Sequence, residues 1–221
     1  MKDLPNGFRI TTSLMALALG WFAIVTIRAE ALTPRTQYFS KDLPPPAPAS
    51  DRSMAEWAAA AALRGDLLAD LAMARAASAL DTGDEAATPQ WLAARERTLR
   101  YARQSLSLAP HASSVWLLLG MLQSLGPNQD SVAEVLKMSY LTSRADVNLI
   151  PARLALVAAS TAIADAELKS LASGDIRLIL TRRPDLKPAL VSAYRRGSAD
   201  GKAYISEVVQ AIDPGFAASL P

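Results

Sequence analysis

Residues Thr98–Leu125, TLRYARQSLSLAPHASSVWLLLGMLQSL, read as two helices and the turn between them. In the first, Leu99, Ala102, Leu106 and Leu108 continue the line of Trp91 and Leu92 and hold one side apolar. Arg95, Arg97, Arg100 and Arg103 make the opposite side wet. Pro110 stops that helix, because its ring fixes φ and it brings no amide hydrogen. A second helix carries Val115 to Leu125, and Gly126-Pro127-Asn128 breaks it.

The same alternation of helix and turn extends in both directions. Upstream, Thr88-Pro89 opens the Trp91 helix with a hydroxyl cap and a proline at the first helical position. Asp81-Thr82-Gly83-Asp84 is a loop. Arg64-Gly65-Asp66 separates a helix running through Trp57 to Leu63 from one that Asp66 caps, whose apolar face is Leu67, Leu68, Leu71 and Met73. Ser53-Met54-Ala55-Glu56 has the spacing of a capping box.

Downstream, Asp130 caps a helix through Val135, Leu136, Met138 and Leu141. Asn148 caps another, with Pro151 tolerated in its first turn. Asp165 starts a helix that crosses Ser173-Gly174 and reaches Leu180. Pro184 and Ser198 open two more, the last holding Ile205, Val208, Val209 and Ile212 before Asp213-Pro214 ends it. From Ser53 onward no alternating strand pattern occurs. The expectation is an all-α domain over 53–221 of about nine modest helices, whose short connections favour antiparallel neighbours.

Ahead of this domain stands Ile10–Ile27, ITTSLMALALGWFAIVTI, without an ionisable side chain. About 20 apolar residues at roughly 1.5 Å each cross a hydrocarbon core of about 30 Å, so residues 10–27 predict one transmembrane helix. Lys2 and Arg9 on one side nearly balance Arg28, Arg35 and Lys41 on the other, and the expected orientation leaves residues 1–9 in the cytoplasm. Ala29-Glu30-Ala31 fits the small-x-small pattern of a signal-peptidase site. Against cleavage, the apolar run exceeds the roughly 7–15 residues of a signal core, and Arg28 lies between it and the site. The expectation is a single-pass anchor in a bacterial-type inner membrane with the domain in the periplasm. Secretion into the periplasm after cleavage near Ala31 is the alternative. Residues 28–52, with Leu43-Pro44-Pro45-Pro46-Ala47-Pro48, read as an extended linker that lifts the domain off the bilayer.

Composition removes whole classes of chemistry. There is no cysteine, hence no disulfide, thiolate metal site, Cys nucleophile or lipidated cysteine. His111 is the only histidine and sits in the turn after Pro110, with no carboxylate or nucleophile placed by sequence to orient it. No phosphate-cradling glycine loop, zinc-protease motif or nucleophile elbow occurs. The chain is therefore expected to be no enzyme and to need no cofactor or metal. An unrecognised hydrolase built from carboxylates on distant helices stays the outlying alternative.

The formal charge of +2 conceals an asymmetry. Residues 32–168 hold 12 basic and 14 acidic side chains, whereas 169–202 hold 8 basic and 3 acidic. Arg177, Arg182, Arg183, Lys187, Arg195 and Arg196 are therefore candidates for contacting an acidic partner. The plainer account is that they solvate helix ends and offset helix dipoles. Nucleic acid is not expected, since it calls for a stronger basic face.

The junction quoted first resembles a tetratricopeptide repeat (TPR). That family places a small residue in a second helix, then Leu-x-Leu-x-Pro, a short turn and Trp-x-x-Leu-Gly in the next first helix. Ser105, Leu106, Leu108, Pro110, Trp116, Leu119 and Gly120 stand at those offsets. The likeness covers about one repeat; a following one would want a small residue near Leu136 and a proline near Arg144. What the resemblance implies is a TPR-like array of antiparallel helix pairs in which Ser105 and Gly120 permit close approach and Trp116 fills the gap between pairs. It further implies an adaptor that binds a protein partner in an envelope or surface-polysaccharide assembly. A structural accessory subunit of a larger membrane complex, held by its transmembrane helix, is the other reading.

Overall fold

The protein is seen in a computed structural model that describes residues 6–32, 64–80, 88–126 and 131–221. The capping box at Ser53, the Trp57 helix, the Pro-rich segment, the Asp81–Asp84 loop and Asp130 lie outside them. The described residues form ten α-helices and two short 3-10 turns, with no strand among them.

Helix α1, Asn6–Leu32, contains the predicted span and runs on past Ile27. Phe8, Ile10, Leu14, Met15, Leu17, Leu19, Trp21, Phe22, Ile24 and Ile27 are all exposed on it. Ile10–Arg28 is long and apolar enough to cross a membrane, a test that a signal sequence near an N-terminus also passes. Two of its threonine hydroxyls are turned inward on the backbone. The Thr26 hydroxyl donates to the Phe22 carbonyl at 2.8 Å, and Thr12 does the same to Phe8. Such i to i−4 bonds let threonine sit in an apolar helix without a bare hydroxyl.

Helix α2, Gly65–Leu80, starts one residue before Asp66, so Asp66 falls inside the first turn and is gripped by Arg64 instead of capping. It buries Leu67, Leu68, Leu71 and Met73, with Ala72, Ala76 and Ala79 beside them. Helix α3, Pro89–Leu108, opens as expected, with the Thr88 hydroxyl accepting from the Trp91 amide at 3.2 Å. Leu99, Ala102 and Leu106 are buried, but Leu92 and Leu108 are 49% and 44% exposed. Both lie near the ends of this 20-residue helix.

Helix α4, Ser113–Ser124, is apolar nearly all round and correspondingly central. Helix α5, Val132–Thr142, buries Val132, Val135, Leu136 and Tyr140. Helix α6, Ile150–Ala159, is not capped by Asn148. The Asn148 amide instead donates to the Asp146 carboxylate at 3.1 Å, and the helix begins two residues later. Helix α7, Ala166–Thr181, is capped by Asp165, whose Oδ1 accepts from the Leu168 amide at 2.8 Å, and it crosses Ser173-Gly174 unbroken. A 3-10 turn over Pro184–Leu186 leads into α8, Lys187–Arg196. Ser198 caps α9, Ala199–Ile212. Asp213 does not simply end the chain of helices; it caps a further short one, α10, Pro214–Ala217.

Packing follows chain order. α2 lies along α3 and α4 along α5. α4 also touches α2 and α6, and α6 packs extensively on α8, while α5 touches α7 and α7 touches α9. Two apolar clusters result. One gathers α2, α3, α4 and Val135; the other runs from Leu117 through α5, α6 and α7 to α9. Burying each large apolar side chain in them contributes roughly 1.5–3 kcal/mol.

Candidate functional site

The positions that carry the repeat resemblance meet at one helix junction. Ser105 is fully buried, and its hydroxyl donates to the Gly65 carbonyl at 2.7 Å, tying α3 to the start of α2. A Cβ on Gly65 would meet the Ala109 Cβ at 2.7 Å, so the approach needs a bare backbone there. Trp116 is half-buried against the first cluster, and its indole N–H donates to the Pro110 carbonyl at 2.8 Å, closing the α3–α4 turn. Leu106 and Leu119 are buried, while Leu108 and Pro110 face solvent. A Cβ on Gly120 would stand 3.2 Å from Leu156 and 3.8 Å from Val135, which makes Gly120 the point where α4 presses on α5 and α6.

A second junction uses the same device where the sequence had suggested none. Ser139, 34 residues on from Ser105 (105 to 139), is also fully buried, and its hydroxyl donates to the Ser113 carbonyl at 2.9 Å, at the start of α4. The C-terminal end of α5 is closed from α6. Arg153, fully buried, donates from Nε to the Ser139 hydroxyl at 3.0 Å and from Nη2 to the Ser139 carbonyl and, at 3.0 Å, the Ser143 carbonyl. It closes the C-terminal end of α5, whose last carbonyls have no intrahelical partner, and puts positive charge where the helix dipole favours it. Its guanidinium lies 4.7 Å above the Tyr140 ring. The sign of this residue was legible: a lone charge inside the apolar run Ile150–Ala159 is costly unless paired.

Asp175 is a second buried charge that the sequence reading did not single out. It occupies a core position of α7, among Leu171, Ala172, Ile176 and Ile179, and is buried with them. Burial pushes its carboxyl up to about 6, against the hydrogen bonding of Tyr140 and the nearby charges of Arg153 and Arg144. Lys137, also overlooked, is a buried hub on α5 whose Nζ reaches Glu134 at 2.7 Å, Asp165 at 3.2 Å and Glu167 at 3.3 Å. Those hydrogen-bonded carboxylates raise the Lys137 ammonium further, and the Leu168 amide and Lys137 hold the Asp165 carboxyl low.

The six basic candidates are split up. Arg183 is held by Asp185 through two bonds of 2.9 and 2.7 Å. Lys187 pairs with Asp213 at 3.5 Å and covers the Phe216 ring at 4.5 Å, pinning α10. Arg196 bonds Ser192 on its own helix. Arg177, Arg182 and Arg195 are exposed and make no ion pair with a described residue. Arg182 follows the last residue of α7, whereas Arg195 lies in the last turn of α8. So three of the six are engaged within the fold and three are left exposed.

His111 is exposed in the α3–α4 turn. Among the described residues no three His, Cys, Asp or Glu side chains are grouped to hold a metal ion. No protein-family model, curated protein or solved structure matches the chain.

Proposed function

We propose that this protein is a membrane-anchored, periplasm-facing TPR-like adaptor that binds a protein partner within an envelope or surface-polysaccharide assembly, and that it performs no catalysis. One observation supports the reading above the rest. Helices α2, α4, α6 and α8 touch in series, as do α5, α7 and α9, while α3 joins through α2 and α4, and such nearest-neighbour contact is what a stack of helix pairs requires. The paired Ser105 and Ser139 bonds, 34 residues apart (105 to 139), agree with a repeat of that length. The exposed apolar flank of α1 supplies the anchor. The free guanidiniums of Arg177, Arg182 and Arg195 would meet an acidic partner surface, and Arg183 and Lys187 are occupied within the fold.

The test is crosslinked capture from membranes using the full-length chain. Reversing Arg177, Arg182 and Arg195 to Glu should abolish capture of the partner at low salt, and raising salt should weaken capture by the unaltered chain. Replacing residues 10–27 with an unrelated apolar helix should leave the partner in place. If that replacement alone releases the protein from its complex, the accessory-subunit reading takes over.

A further inference from the structure

Three helices meet around polar atoms that no neighbour fully satisfies. Tyr140 of α5 and Arg153 of α6 are fully buried and Asp175 of α7 nearly so. Arg153 Nη1 lacks a hydrogen-bond partner, and the Tyr140 hydroxyl and Asp175 Oδ2 lie near enough to act on each other without closing a bond of good geometry. A buried polar atom left unpaired costs about 1–3 kcal/mol, and such a cluster calls for a reason. Arg153 is already committed to α5 through Ser139 and Ser143, with one arm left over. Asp175 acts on that guanidinium through its charge without reaching ion-pairing distance.

The surroundings of Asp175 are accounted for element by element. α5 brings Tyr140, the turn after it Arg144, and α6 Arg153. Tyr204 of α9 also feels the Asp175 charge, with Glu207 beside it, and its hydroxyl donates to the Lys169 carbonyl. Asp146 acts on Arg153 from the α5–α6 turn. α8 presents no ionisable group to Asp175.

We propose that Asp175, Arg153 and Tyr140 form a proton-operated latch between α7 and the α5–α6 pair. The arrangement in the structure, with the Arg153 guanidinium spent on closing α5, is the one assigned to neutral Asp175. With Asp175 ionised and its proton released to solvent, the idle Nη1 and the Tyr140 hydroxyl turn to the carboxylate, and the hold on the Ser139 and Ser143 carbonyls loosens. A carboxylate desolvated among Leu171, Ile176 and Ile179 has no better source of hydrogen bonds. Arg153 stays cationic throughout. Burial pushes both tyrosines up, so neither loses its proton near neutrality. The turn Ser143–Leu149 begins at the carbonyl that Arg153 would release.

The test is nuclear magnetic resonance of the full-length chain in detergent, carrying 13C at aspartate carboxyls and 15N at arginine Nε. It is titrated from about pH 4.5 to 7.5, a window spanning ordinary and raised carboxyl values. The expected result is an Asp175 midpoint near 6, with the Arg153 Nε signal moving at the same midpoint. Asp175→Asn should remove the Arg153 response, and His111→Gln should leave it untouched. An Asp175 midpoint near 4, or an Arg153 signal that stays still across the range, overturns the proposal. Should Asp175→Asn not fold, the unaltered chain alone decides by whether the two midpoints coincide.

Discussion

Gly201 lies directly over the Ala158 carbonyl: a Cβ on Gly201 would stand 2.0 Å from that oxygen and 2.7 Å from its carbon. The same carbonyl, one of the last of α6, accepts from the Ser198 amide at 2.8 Å and from the Ser198 hydroxyl at 3.1 Å. One oxygen therefore receives the start of α9, and only glycine leaves it room.

Gly201→Ala should destabilise the chain by about 3 kcal/mol or more, because the obstructing atoms are backbone and cannot swing away. Gly174→Ala is the control. Nothing lies within 4 Å of a Cβ at that exposed position in mid-α7, so the substitution should add about 0.5–1 kcal/mol of stability. Chemical denaturation of the two variants side by side checks both signs.

Ser105→Ala and Ser139→Ala should not cost the same. The first leaves one acceptor, the Gly65 carbonyl, without its hydroxyl donor, an effect of about 1 kcal/mol. The second also takes the acceptor from Arg153 Nε in a fully buried site, so about 2–3 kcal/mol is expected. Equal midpoints in denaturant would show that the Arg153 bond contributes nothing.

Asp175 makes stability fall as pH rises. Its folded value of about 6 lies above the ordinary 3.8, so the folded state binds the proton more tightly than the unfolded one. The contribution is complete below about pH 4 and is lost as pH climbs through 6, up to about 3 kcal/mol in all. Asp66, Asp165 and Asp185, whose carboxyls are held low, act the other way and lose their contribution as pH falls through their folded values. Asp175→Asn should remove the decline between pH 4 and 7, measured by denaturation at a series of pH values.

Asp165→Ala should cost about 1 kcal/mol through the lost cap on the Leu168 amide, and most of that loss should survive high salt. Lys137→Met removes the ion pairs to Glu134, Asp165 and Glu167 instead, so its effect should shrink as salt rises. Thermal melts at low and high ionic strength separate the cap from the charges.

The helices were legible because caps, prolines and apolar spacing all act within one turn of chain. Thr88-Pro89, Asp165 and Ser198 each begin a helix where the residues suggest. Asn148 misled because Asp146 two residues earlier bids for its amide, a contest between neighbours that composition does not settle. The buried polar residues were harder to find. Nothing local to Arg153 tells that α5 lacks a terminator 10 residues upstream at Ser143, since that need is created only when α5 and α6 pack. Likewise the basic run at 177–196 looks uniform along the chain, yet Asp213, far off in sequence, claims Lys187.

Leu117 and Leu118 are neighbours in α4, but Leu117 belongs to the cluster that continues to α9 and Leu118 to the one shared with α2 and α3. A single helix thus acts as the party wall of both interiors. Neither half owns a complete interior without it, so melting should proceed as one cooperative event, and cutting the chain after α5 should leave the C-terminal piece unfolded, stripped of Leu117, Val132, Leu136 and Tyr140.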